Sequence, residues 1–477
     1  MRFRNTLTLA TLLFAATPLL AQNAVSAGAD KGGSGAPSAA ADTTVKATKP
    51  DSAAAAAKAA RAALLVNPIV VQHVRPADAR GINTFEAPKD DKTPYTGFKL
   101  SWGAAFAQEF QDLKHTNTAS AVSKNDATGA PYNANQLIDI GAGFNNAVAN
   151  LFTNVQLAPG IRIALETYLS SRHHNEAWVK DGYILIDQSP VNIPLANALF
   201  KYATVKVGHF EINYGDEHFR RTDNGQALYN PFVGNLVLDA FTTEIGGEVY
   251  LRKGAWLAMG GVTGGEIHGD VINPGKRSPG YEAKLGFDKQ VTPLVRVRLT
   301  GSLFSQRSSE SNTFYGGDRG GSPYFMVMEN TQATTSANAW SGTLNPGFSN
   351  DVHAVMLNPF VKVGSLELFG VAEQSRGGTA AETVDRTWHQ YDVDAVYRLF
   401  GNKAYVGYRY NFARGQLAGV TTDVSVNHNA LGAGWFLTPS LLLKGEYVNQ
   451  SYNNFPTSDI RNGGDFKGFT MSGVVAF

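Results

Sequence analysis

Val295-Arg296-Val297-Arg298-Leu299-Thr300-Gly301-Ser302-Leu303 sets Val295, Val297, Leu299 and Leu303 on one parity and Arg296, Arg298, Thr300 and Ser302 on the other. Side chains of an extended chain point alternately to its two faces, so this stretch is a strand with one apolar and one wet face. The same period extends both ways. Tyr281, Ala283, Leu285 and Phe287 alternate with Glu282, Lys284 and Asp288, and Tyr408, Tyr410 and Phe412 with Arg409 and Asn411. Earlier, Leu151, Val155 and Leu157 oppose Asn150, Asn154 and Gln156. No run of about 20 apolar residues follows the N-terminus, so no helical membrane span is expected there.

A soluble antiparallel sheet alternates in the same way. The connections separate the two cases. Tight turns at 158–160, 253–254, 292–293, 364–365, 401–402 and 438–439 alternate with long polar segments at 114–134, 216–236, 306–350 and 453–465. Short turns at one end and long loops at the other are the habit of transmembrane barrels. Strands centred near Trp102, Leu151, Ile163, Ile184, Val205, Ile245, Leu257, Ala283, Val297, Val355, Leu368, Val393, Val406, Leu431, Leu443 and Met471 predict an all-β, antiparallel transmembrane barrel of about 16 strands over 96–477.

Composition agrees. Only 17% of the 477 residues are charged, against about 25% in an ordinary soluble protein. The net charge of +1 argues against nucleic-acid binding. The absence of Cys excludes disulfides, thiolate metal sites and a Cys nucleophile.

Residues 1–21 have the form of an export signal: Arg2 and Arg4 precede an apolar run from Leu7 to Leu20. Cleavage after Ala21 and after Ala27 are both compatible with it, and a retained anchor is the alternative. Residues 22–95 form a low-complexity, Ala-rich arm. It is disordered to about Pro50, helical over Ser52–Leu65 by Ala content, and extended over Asn67–Tyr95. The helix is a coiled-coil or wall-contacting arm, or a plain spacer.

The last strand, Lys467 to Phe477, places Phe469, Met471, Val475 and Phe477 on one face and ends the chain on an aromatic. Here the chain resembles Gram-negative outer-membrane barrels, which implies recognition of Phe469, Met471 and Phe477 by the barrel-assembly machinery. Lys206-Val207-Gly208-His209-Phe210, running into a charged segment, makes 96–477 similar to general porins and, more closely, to the phosphate-selective porin O/P-like group. That resemblance implies a trimer in outer-membrane lipid, with the loop after the fifth strand (near 215–240) folded inward to narrow the channel.

Sixteen strands enclose an aqueous lumen in porins. The wet parity of the wall carries Arg162, Glu166, Glu244, Glu248, Arg252, Glu282, Lys284, Arg296, Arg298, Asp392, Asp394, Arg398, Arg409, Lys444 and Glu446. These charges either select ions or only keep the lumen hydrated. In the segment after the fifth strand, Glu211, Asp216 and Glu217 precede Arg220 and Arg221, with Asp223 beyond. Opposed charges across a constriction create a transverse field that sets ion selectivity. The plainer alternative is a surface loop whose charges pair with one another. Tyr214, Phe219, Tyr229 and Phe232 are candidates to pack it on the wall.

Other constellations weigh less. His173-His174 with Glu176 reads as solvated loop, Asp392 and Asp394 as wall charge rather than a Ca²⁺ site, and Asp223-Asn224-Gly225 as a turn. No metal or cofactor is expected. G-x-S-x-G and P-loop motifs are absent, so no enzyme is expected either. The expected function is passive diffusion of small hydrophilic solutes or ions across the outer membrane. The alternative is a structural protein tethered to the cell wall through its arm.

Overall fold

The computed structural model describes residues 71–86, 89, 93–169, 177–265, 276–309, 312–316 and 323–477. The export signal, the arm up to residue 70, and His173, His174 and Glu176 lie outside the described residues.

Sixteen antiparallel strands close into one barrel. They are β1 (Lys99–Thr116), β2 (Val148–Ala158), β3 (Ile161–Leu169), β4 (Ala177–Ile186), β5 (Ala203–Glu211), β6 (Thr243–Lys253), β7 (Trp256–Thr263) and β8 (Gly280–Thr292). There follow β9 (Val295–Gln306), β10 (Asp351–Val363), β11 (Leu366–Gly378), β12 (Arg386–Leu399), β13 (Ala404–Gly415), β14 (Val424–Thr438), β15 (Leu441–Asn453) and β16 (Asp465–Ala476). Every expected strand centre falls inside one of them. Each strand pairs with the next, and β16 returns to β1 from Ala105↔Ala476 to Thr116↔Asp465. Just beyond, Ala104 and Phe477 exchange both backbone hydrogen bonds, at 3.1 and 3.0 Å, so the terminal Phe seals the seam.

The tight turns join β2–β3, β6–β7, β8–β9, β10–β11, β12–β13 and β14–β15 at one end. The β4–β5 connection at that end is longer than the sequence suggested and holds a short helix, α1 (Pro194–Leu199). The opposite end carries the long loops.

The outer face is the apolar parity. Leu285, Leu299, Leu357, Val393 and Leu431 all lie exposed on it. Aromatic side chains ring both ends. Trp256, Tyr397, Trp435 and Phe477 stand near the short turns, and Phe144, Tyr281, Tyr391 and Tyr410 toward the long loops. An even-stranded barrel with an apolar belt between two aromatic girdles is a transmembrane barrel of the outer-membrane type.

The inner face departs from a plain water-lined bore. Wall residues from β9 to β16 with inward parity are buried almost throughout. Three pieces of chain cover them: residues 212–242 after β5, part of the β9–β10 loop, and residues 71–86 ahead of the barrel. Toward the long loops the interior is apolar, with Phe304, Phe314, Phe348, Val352, Met356 and Trp388 in one buried cluster.

Candidate functional site

The segment 212–242 decides what the interior does, and its course follows from where its backbone groups find partners. A buried N–H or C=O left unpaired is costly, so a chain crossing a lumen needs donors and acceptors from the wall. The wet parity supplies them. Asn150 on β2 accepts from Gly225 N at 2.6 Å, and Asn358 on β10 accepts from Asp216 N at 2.9 Å. Lys444 on β15 donates to Ala227 O, Asn230 O and Phe232 O at 2.7, 3.0 and 2.5 Å. Glu446 accepts from Val233 N, Asn411 from Val237 N, and Gln390 both accepts from and donates to Leu238. The segment thus crosses from β2 to the far wall.

Two glycine arrangements let it seat. A Cβ on Gly225 would lie 2.8 Å from Ala149 Cα and from Asn150 N, so only glycine brings the segment backbone onto β2. Across the barrel, Phe232 packs over Gly407 and Gly432, whose missing side chains leave room for the ring. The Arg409 guanidinium lies 4.4 Å from that ring centroid.

The charges nominated from sequence fall into two environments. In the packed half, Arg409 makes a two-pronged pair with Asp394 at 2.7 and 2.9 Å and donates to Gly234 O at 3.0 Å. Asp392 lies 3.8 Å from Arg409. Arg398 pairs with Glu367, and Arg296 with Asp288. Asp216 is shared by Arg298 and Lys284. Arg221 is forked onto Asp239 at 2.7 and 2.5 Å and lies over Phe241. Glu244 accepts from Thr263, while Glu248 accepts from Tyr250 and Asn213 N and pairs with Lys206. Glu217 and Arg220 are buried on the segment itself. Among the described residues neither Glu217 carboxylate oxygen finds a hydrogen-bond partner, and burial pushes its pKa up to about 8.

The second environment lies between the segment and strands β3 to β6. There inward side chains keep partial exposure: Glu166 on β3, Asp181 and Tyr183 on β4, Lys206 and Glu211 on β5. From the segment, His218, Phe219, Gln226 and Tyr229 are also partly exposed. Lys180 sits just behind this seam, bound to Asp223 and 3.1 Å from Glu211. Tyr168 also donates to Asp223. Glu211 Oε1 lies 2.9 Å from His218 Nδ1, and Asp181 accepts from Glu211 N. Arg162 is drawn onto Asn154 and Tyr183, and Arg252 keeps partial exposure beside Tyr250.

Two of the four aromatics expected to fix the segment on the wall do something else. Phe232 does pack there, and Tyr214 donates to Glu373 on β11 while its ring meets Phe314 of the β9–β10 loop. Phe219 instead meets Phe85, and Tyr229 donates to Pro76 O beneath the Arg75 guanidinium. Residues 71–86, assigned to the arm from sequence, are therefore interior chain. Phe469, Met471 and Phe477 face outward on the lipid side of β16 and just past it.

Sequence reasoning passed over Asp181, Asn358 and Gln390, and gave Lys206, Asn150 and Asn411 no role at the site. Their inward parity was readable. That their partners would be loop backbone rather than water was not.

No protein family and no curated sequence matches this chain. Among solved structures, an anion-selective porin from Comamonas acidovorans superposes with a TM-score of 0.48 at 11% identity, covering 80% of this chain and 100% of that one. Outer-membrane expressed OmpT of Vibrio cholerae gives 0.47 at 10%, covering 80% and 99%. The outer membrane channel DcaP of Acinetobacter baumannii gives 0.46 at 8%, covering 80% and 99%.

Proposed function

We propose that the protein is a porin, a channel that passes small hydrophilic solutes or ions through the outer membrane. The observation that carries this reading is the partly exposed polar seam between the segment 212–242 and strands β3 to β6. A barrel serving only as an anchor has no need of a polar, solvent-reaching seam inside an otherwise packed lumen. In this reading the segment is the constriction, and the passage runs along one wall instead of down the axis.

The seam supplies a preference. Its partly exposed side chains include three carboxylates, Glu166, Asp181 and Glu211, against two cations, Lys206 and Arg252. In a narrow, poorly screened passage fixed charge sets ion selectivity, so cations are favoured. A dedicated phosphate channel needs the opposite surplus, so the phosphate-selective subgroup is not part of the proposal. A homotrimer is the expected assembly by resemblance to porins. The tether alternative rests on the arm and draws no support from the barrel interior.

The test is electrical. Purified protein in a planar bilayer is expected to give stepwise conductance of small unit size. Absence of steps from protein shown to be folded, with residues 71–86 seated or loosened alike, overturns the reading.

A further inference from the structure

Residues 71–86 cross the short-turn mouth of the barrel. Gln72 and Gln156 are joined by two hydrogen bonds, from Gln72 N at 2.9 Å and from Gln156 Nε2 at 3.2 Å. His73 Nε2 lies 2.8 Å from Asp187. Ala79 N donates to Pro439 O at 2.9 Å, on the opposite β14–β15 turn. Arg75 donates to Phe219 O at 2.9 Å, and Asn83 Oδ1 accepts from Arg220. Phe85 wedges between Phe219 and Phe360, at centroid distances of 5.8 and 5.5 Å. Glu86 reaches Lys284 at 3.0 Å and Arg298 at 2.8 Å.

Two features separate this stretch from the wall and from the inner segment. It joins no ladder of the barrel sheet, so its hold is mostly side-chain contact. Its wall partners also remain compensated without it. Arg298 keeps its fork on Asp216, Lys284 keeps Asp216, Asn213 Oδ1 and Gly215 O, and Arg296 keeps Asp288. A stretch whose departure orphans few buried charges avoids that penalty, and what holds it is chiefly the burial of Phe85 and its neighbours. Arg220 is the exception. Its Nε and Nη2 already lack acceptors among the described residues, and withdrawal also removes Asn83.

We propose that residues 71–86 are a displaceable plug of this channel. Seated, they close the short-turn mouth beneath the constriction. Withdrawn, they open it and bare the Arg220 guanidinium to the passage. The proposal rests on the channel reading and deepens it as the regulation of the same passage.

The chain has no cysteine, so the plug can be locked cleanly. Ala79→Cys with Pro439→Cys places two thiols on backbones already hydrogen-bonded to each other. The oxidised full-length protein in a planar bilayer is expected to show severalfold fewer open events than the same preparation after reductant. Phe85→Ala with Glu86→Gln is expected to raise open probability severalfold over wild type. Equal conductance of oxidised and reduced protein, with wild-type behaviour of the loosened variant, overturns the plug and leaves the channel standing. If wild type, reduced pair and loosened variant are all silent although heat-modifiable migration shows them folded, the channel reading itself fails.

Discussion

Asp216 Oδ1 and Oδ2 accept a fork from Arg298 Nη2 and Nε at 2.8 and 2.7 Å, and the same carboxylate takes Lys284 Nζ at 2.8 Å. One loop carboxylate thus holds two wall cations on adjacent strands, all three buried. Removing it leaves two buried cations to share Glu86, at up to about 3–5 kcal/mol. Asp216→Ala is expected to lower the urea midpoint of the folded barrel by a matching amount. A change within experimental error contradicts the pinning role.

Phe232 occupies space that exists because positions 407 and 432 have no side chains. Gly432→Val closes that space and expels the ring. The expected results are lower stability and, because the inner segment loses its far anchor, larger or noisier single-channel steps. Unchanged steps with lowered stability place the ring's role in packing alone.

The apolar parity carries a different penalty. Leu299 is exposed on the outer face, near mid-height of β9. Leu299→Arg is expected to cost roughly 2–4 kcal/mol for folding into vesicles, whereas Val363→Arg at the short-turn rim costs about 0–1 kcal/mol. Equal costs at the two positions contradict the placement of the lipid belt.

Glu217 gives a pH dependence with a definite sign. Burial raises its folded pKa to about 8 from 4.5, against the opposing pull of Arg409. The unfolded chain therefore ionises first. The stability held with a proton in place is full below about pH 4.5 and is lost as pH rises through about 8. Glu217→Gln should lose less stability than wild type between pH 5 and pH 9, read by thermal unfolding at both pH values. Parallel losses in the two proteins refute the buried acid.

The barrel wall was legible because two-residue periodicity and loop length are both local signals. Val295 to Leu303 alone states the wall chemistry, and Thr438-Pro439 or Gly364-Ser365 states a turn. The packed interior was less legible because it depends on which distant chain meets the wet face. One clue was available. On β14, Val424 and Val426 share inward parity while Leu431 faces out, so apolar residues switch faces along a single strand. That switch marks where the lumen stops being wet. Residues 71–86 carry no such mark. Their polar, Pro-containing stretch looks like a linker, and only the contacts of Phe85, Asn83 and Glu86 reveal an interior position.

The central claim is that ions pass along the seam beside β3 to β6 and not through the packed half. The reversal potential in a potassium chloride gradient tests it most directly, comparing wild type with two variants. One neutralises the seam (Glu166→Gln, Asp181→Asn and Glu211→Gln together), and the other neutralises the buried Asp394→Asn. The account predicts cation preference in wild type, its loss or inversion in the seam variant, and little change in Asp394→Asn. A reversal potential unmoved by the seam variant, or moved more by Asp394→Asn, contradicts it.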